Sequence, residues 1–359
     1  MPTVKHPCYS LPNSPETSEK DRPMQRVYIT LQNDDKIAIY NLDSASGSLT
    51  HQEDIAVPGG PAPFAVSPDN QRAYTGLRVD LKMVSFDVNS STGSLTPTGT
   101  VGLESDPCYV SVDATGNNLL SAYYAAGHLA VHPINSEGAL GKPATEWIGT
   151  RHKAHCLHTD RSNNFAFLPH VGESNAIYQY KFDASTGSMT PNSPAVIEAP
   201  EGDGPRHYDY HPSGKFVYFD NEQGSSVTAY KFDSANGTLE AFQTLSTLPD
   251  DWTGDNSCAQ LHISPSGEFL FASNRGHHSI AMYSVDPDSG ELTSLGQQKT
   301  VGTPRAFNID PTGNFMLVSG LDNGDLATYK IESSGHLTHL ATQPVGNEPM
   351  WIHITDPIN

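Results

Sequence analysis

Seven times along the chain a glycine is followed two residues later by an aliphatic side chain, each time just after a strand-like stretch bearing Asp or Asn. The copies are Gly47-Ser48-Leu49, Gly93-Ser94-Leu95, Gly138-Ala139-Leu140, Gly187-Ser188-Met189, Gly237-Thr238-Leu239, Gly290-Glu291-Leu292 and Gly335-His336-Leu337. Successive intervals are 46, 45, 49, 50, 53 and 45 residues. A period in the forties is that of a radially repeated array of small β-sheets.

The unit between two marks reads strand by strand. Residues 63 to 101 give Phe64-Ala65-Val66, Ala73-Tyr74-Thr75, Met83-Val84-Ser85-Phe86 and Ser94-Leu95-Thr96, joined by a Ser67-Pro68-Asp69-Asn70 turn and a Ser91-Thr92-Gly93 turn. Both turns use residues that tolerate tight or left-handed backbone. The first turn recurs as His211-Pro212-Ser213-Gly214, Ser264-Pro265-Ser266-Gly267 and Asp310-Pro311-Thr312-Gly313, and no comparable stretch has capped helical spacing. The expected fold is an all-β, seven-bladed β-propeller of four-stranded antiparallel blades. Its first blade lacks a first strand, because the chain enters at Val27-Tyr28-Ile29, a second-strand pattern. Trp351-Ile352-His353-Ile354 supplies that strand from the C-terminus and closes the ring, which protects the sheet edges.

Length alone would allow two domains, but the unbroken repeat argues for one, over residues 24–359. Residues 1–23, rich in Pro and Ser with no apolar run, read as a flexible arm. Forty Asp and Glu against twenty Lys and Arg give a formal charge of −20, which repels nucleic acid and anionic membranes. No segment has the length of a membrane span or the core of a signal peptide. Cys8, Cys108, Cys156 and Cys258 lie far apart without a C-x-x-C pair, so a reducing, cytoplasmic setting is expected. The oligomeric state is not legible.

In a four-stranded meander, the loops from strand two to three and from strand four to the next blade emerge at one end of the ring. For blades four to six those loops carry Arg151-His152-Lys153-Ala154-His155, Pro205-Arg206-His207, Asn221-Glu222-Gln223 and Asn274-Arg275-Gly276, with Arg305 and Arg78 at matching places. A chain poor in basic residues has gathered several at one mouth, which suits a small anionic ligand.

Gly204-Pro205-Arg206-His207 followed by His211-Pro212-Ser213-Gly214 and Asn221-Glu222 resembles the lactonase family of seven-bladed propellers typified by bacterial 6-phosphogluconolactonase. Ile263-Ser264-Pro265-Ser266-Gly267 leading to Ser273-Asn274-Arg275, and Gly346-Asn347-Glu348-Pro349-Met350-Trp351, carry the same resemblance from about residue 25 to the end. It implies a cofactor-free hydrolase of a sugar lactone, with 6-phospho-D-glucono-1,5-lactone of the pentose phosphate route as the expected substrate. The family also includes fungal carboxy-muconate lactonizing enzymes, whose proposed cleft His, two Arg and Glu correspond to His155, Arg206, Arg275 and Glu222. Relatives of the bacterial type carry Gly-Cys-His before blade four, where this chain has Lys153-Ala154-His155.

Lactone hydrolysis needs water deprotonated as it attacks, a stabiliser for the oxyanion and a proton for the departing ring oxygen. His155 or Glu222 can manage the proton. Arg206 and Arg275 offer planar forks for an oxyanion or carboxylate, and His207, Arg305 and Lys153 are candidates for holding the substrate. The plain alternatives are a satisfied polar His155, an Arg206–Glu222 ion pair of purely structural use and a solvated Arg275. His152, His155 and His158, three apart on a strand, make a poor metal site, and no nucleophile turn or nucleotide fingerprint occurs. Two other readings remain: a cycloisomerase acting on an unsaturated diacid, and a non-catalytic interaction scaffold.

Overall fold

A computed structural model describes residues 24–142 and 144–356; the proposed 1–23 arm and Cys8 lie outside the described residues. The strands form seven antiparallel sheets in sequence order. Blade two is representative, with Pro61–Val66 innermost, then Arg72–Leu77, Lys82–Val88 and Leu95–Gly102 at the rim. In blade one the innermost strand is Pro349–Ile354, paired antiparallel to Met24–Leu31 with Ile352 facing Ile29, so the two ends of the chain close the ring as expected. Blade four has three regular strands, Phe165–His170, Ala176–Asp183 and Ser188–Glu198. Its inner position is filled by residues 154–159, which join through isolated bridges, Ala154 to His170 and Thr159 to Ala166.

Second strands such as Asn118–Tyr123, Phe165–His170 and Phe315–Gly320 are buried at every residue, because a neighbouring blade covers each face. They therefore read as continuous apolar runs, while rim strands such as Leu337–Pro344 are mostly exposed. The core lies between blades: Val27, Ile29 and Leu31 of blade one pack with Leu317 and Leu326 of blade seven and Ile352 of the closing strand.

The repeat glycines serve both the turn and this packing. All seven adopt positive φ, from 69° at Gly237 to 82° at Gly335, which glycine reaches without steric cost. A Cβ on Gly237 would also stand 1.9 Å from Cδ1 of Phe165, and Gly47, Gly290 and Gly335 meet Phe315, Phe216 and Phe269 in the same way. At these four places the signature marks where one blade's turn lies on the preceding blade's aromatic ring, while Gly93, Gly138 and Gly187 lie on Arg26, Arg72 and Asn118 of the preceding blade.

Candidate active site

The inner strands begin with a repeated irregularity. In blade five Pro205 pairs with Asn221, but the next pair is Tyr208 with Phe219, so the inner strand has one residue too many. The same slip follows Pro61, Pro107, Cys258 and Pro304, and in blade one the residue skipped is Met350. Such bulges bend a strand and re-aim its side chains. The skipped residues are Ala62-Pro63, Cys108, Arg206-His207, Ala259-Gln260, Arg305 and Met350, and nearly all of them line one pocket at the ring's centre. His155 holds the matching place in blade four, directly after Ala154, and lines the pocket with them.

A second tier follows from the ends of the second strands. The residues after Leu77, Tyr123, Asn221 and Asn274 are Arg78, Tyr124, Glu222 and Arg275, equivalent by register. Asn274 accepts from Thr247 at 2.7 Å and from Asn256 at 2.9 Å, which fixes the turn that carries Arg275.

Arg206 is only 2% exposed, and its Nε donates to Oε2 of Glu222 at 2.7 Å. The other oxygen of Glu222 stands 3.2 Å from Nη2 of Arg275, which also donates to the Cys258 carbonyl at 2.8 Å. Burial opposes ionisation of Glu222, but the two guanidiniums outweigh it and hold the carboxyl below its ordinary value. Nη1 of Arg206 and Nε of Arg275 are buried donors with no protein partner. The ion pair foreseen as a structural alternative is therefore real, yet it leaves donors free.

His155 and His207 lie with ring centroids 4.9 Å apart. Burial first, and Arg206 second, push both imidazoles well below the ordinary histidine value, so both are neutral at pH 7. Nδ1 of His155 is buried without a partner. Cys108 also lines the pocket, but burial pushes its thiol up to about 12 and its Sγ lies 3.3 Å from the His155 carbonyl oxygen. It is no thiolate nucleophile near neutral pH.

His155, Arg206, His207 and Arg305 thus share one pocket, with Glu222 and Arg275 tied to Arg206. Lys153 does not join them. It pairs with the exposed Glu173 at the rim and sits at φ 64°, a left-handed position where the resemblance leads one to expect glycine. The other two histidines of the three-spaced set lie elsewhere: His152 is exposed and bonds the Ala125 carbonyl, and His158 stacks on Tyr208 at 4.1 Å. Among the described residues no group of three or more His, Cys, Asp or Glu is placed to hold a metal ion.

Sequence reasoning missed Asp220, Gln260 and Trp351. Asp220 is fully buried opposite the blade-five bulge, and its Oδ1 accepts the His207 amide at 2.6 Å while Oδ2 has no partner. Burial lifts it to about 7 against the lowering pull of Arg206. Counting one and two residues on from the start of each inner strand would have found Gln260, two past Cys258, and Trp351, two past Pro349, because those are the channel-facing places.

The family described as lactonase, 7-bladed beta-propeller, matches residues 26–354. A 6-phosphogluconolactonase of Pectobacterium carotovorum is 34% identical over 331 residues, covering 92% of this chain and 98% of its own. The Yersinia pestis (strain Pestoides F) protein of the same name is 33% identical with the same coverage. Among solved structures, the Pseudomonas aeruginosa periplasmic gluconolactonase superposes with a TM-score of 0.87 at 23% identity, covering 93% of this chain and 99% of its own. A Bacteroides fragilis protein gives 0.86 at 24%, covering 95% and 100%. At those identities the structural likeness speaks for the fold alone.

Proposed function

The chain belongs to the seven-bladed β-propeller lactonase family, and from that premise we propose that it hydrolyses a sugar lactone, 6-phospho-D-glucono-1,5-lactone, to the open-chain acid. The observation that carries the reading is the pairing, in one pocket, of a neutral imidazole with a guanidinium that still has a free buried donor.

His155 is the base. Glu222 is a poor alternative, because both its oxygens are engaged by arginines and its affinity for a proton is reduced. A water attacking the ring carbonyl gives its proton to the imidazole as the new C–O bond forms. Negative charge developing on the carbonyl oxygen is met by Nη1 of Arg206, held in place through Nε by Glu222. When the tetrahedral adduct collapses, the ring C–O bond breaks and the departing oxygen takes the proton back from His155, with His207 alongside as a relay. The buried free thiols of Cys108, Cys156 and Cys258 fit a reducing cytoplasm.

The test is proton release at constant pH from freshly made phosphogluconolactone, corrected for the buffer rate. Catalysed release by the wild-type protein, cut about a hundredfold or more in Arg206→Ala, supports the reading. No acceleration of this reaction, together with loss of muconate ultraviolet absorbance, would replace it with cycloisomerisation.

A further inference from the structure

Three of the guanidiniums around the pocket are committed to carboxylates. Arg78 lies 2.9 Å from Asp106, and Arg206 and Arg275 share Glu222. Arg305 differs. It lines the same pocket, at the bulge position that Arg206 holds in blade five, and among the described residues it has neither an ion pair nor a hydrogen bond. Burial first, then the nearby Arg206, Arg275 and Arg78, push it down to about 9. A half-buried guanidinium beside other cations and without a counter-charge is costly to the folded state. An anionic ligand at that point would remove the cost.

Around the ring this cation stands two blades from Arg206, close enough for its charge to be felt at His155 and His207. Gln260 of blade six stands between Arg305 of blade seven and Arg206 of blade five around the ring, and Met350 and Trp351 supply an apolar wall on the other side of Arg305. A ligand with an anion at one end and an electrophilic carbonyl at the other fits this arrangement. Binding the remote anion fixes where the carbonyl lies.

We propose that Arg305 is the specificity-determining residue of the site: it takes the phosphate monoester of the substrate and so separates a phosphorylated sugar lactone from its unphosphorylated counterpart. The assignment rests on the lactonase reading above and deepens it. Lys153, the other cation considered for this role, is held by Glu173 at the rim.

The experiment compares wild type, Arg305→Gln and Arg305→Lys on 6-phosphogluconolactone and on glucono-1,5-lactone, with calorimetric binding of 6-phosphogluconate and gluconate to the same proteins. In Arg305→Gln, kcat/KM for the phosphorylated lactone falls about 10- to 100-fold, the range for losing charge-assisted hydrogen bonds, while that for the plain lactone stays within about threefold. Arg305→Lys recovers part of the loss. Because the substitution removes a half-buried charge that has no protein counter-charge, Tm rises or holds, so the defect is not unfolding. Equal losses on both lactones, or unchanged 6-phosphogluconate affinity, would overturn the assignment. If the wild-type protein hydrolyses neither lactone yet binds 6-phosphogluconate through Arg305, the subsite stands and the hydrolase reading falls.

Discussion

Arg206 and Glu222, sixteen positions apart in the chain, are brought within 2.7 Å because strand Pro205–Tyr210 starts opposite the end of strand Phe216–Asn221. The pair is largely buried, with Glu222 16% exposed, and Arg275 stands on the carboxylate's other side. Glu222→Gln leaves two close cations with no neutralising charge, so unfolding free energy falls by about 2–4 kcal/mol. Since the folded-state value of Glu222 is depressed, its stabilisation is present above the ordinary Glu range, about pH 4.3, and is lost as pH drops through the folded value. Urea unfolding at pH 7 and pH 3.5 should show a gap between wild type and variant that narrows in acid.

His155 is already neutral at neutral pH, so its protonation limits the rate only well below pH 6.5. Substitution by Gln should lower kcat by about 10²- to 10⁴-fold, the usual worth of general acid–base catalysis. A kcat/KM profile with a midpoint near 6.5 that vanishes in His155→Gln would show that the imidazole is not held neutral as described.

Ring closure can be weakened without touching the pocket. Ile352 is 2% exposed and packs among Val27, Ile29 and Leu31. Truncation to Ala should cost about 2–4 kcal/mol in chemical denaturation. Leu340, 41% exposed on the rim, should lose less than about 0.5 kcal/mol on the same change.

The fold was legible because the signals were local. The repeat glycines advertise positive φ, and the second-strand pattern at Val27 requires a partner from Trp351 onward. Arg206, Glu222 and Arg275 were legible because loop parity around a meander depends on strand order alone. The bulges were not, since a slip of one residue is a property of two paired strands. Asp220 in particular reads as an ordinary strand residue until Pro205–Asn221 and Tyr208–Phe219 are seen to skip it. The turning of Lys153 toward Glu173 likewise depends on a loop twenty positions away.

Asp220 offers the sharpest test of how the site is tuned. In blade six the corresponding residue is Ser273, whose hydroxyl accepts the Gln260 amide at 3.0 Å, so a neutral group suffices for the bulge. A carboxyl in blade five therefore adds a titratable charge beyond the structural need, facing Arg206, Glu222 and Arg275 and lying near the thiols of Cys156 and Cys258. Burial lifts it to about 7, against roughly 3.9 when unfolded. Between those values the folded protein keeps a proton that the unfolded chain has released, so this group's contribution to stability declines as pH rises from about 4 to 7 and stays low above. Asp220→Asn keeps an acceptor for the His207 amide and abolishes the ionisation. Relative to wild type the variant should nearly match at pH 4 and be more stable by about 4 kcal/mol at pH 8, and any kcat/KM inflection near pH 7 should vanish from it while persisting in His155→Gln. A variant less stable than wild type at pH 8 would show instead that the ionised carboxylate holds the arginine cluster together.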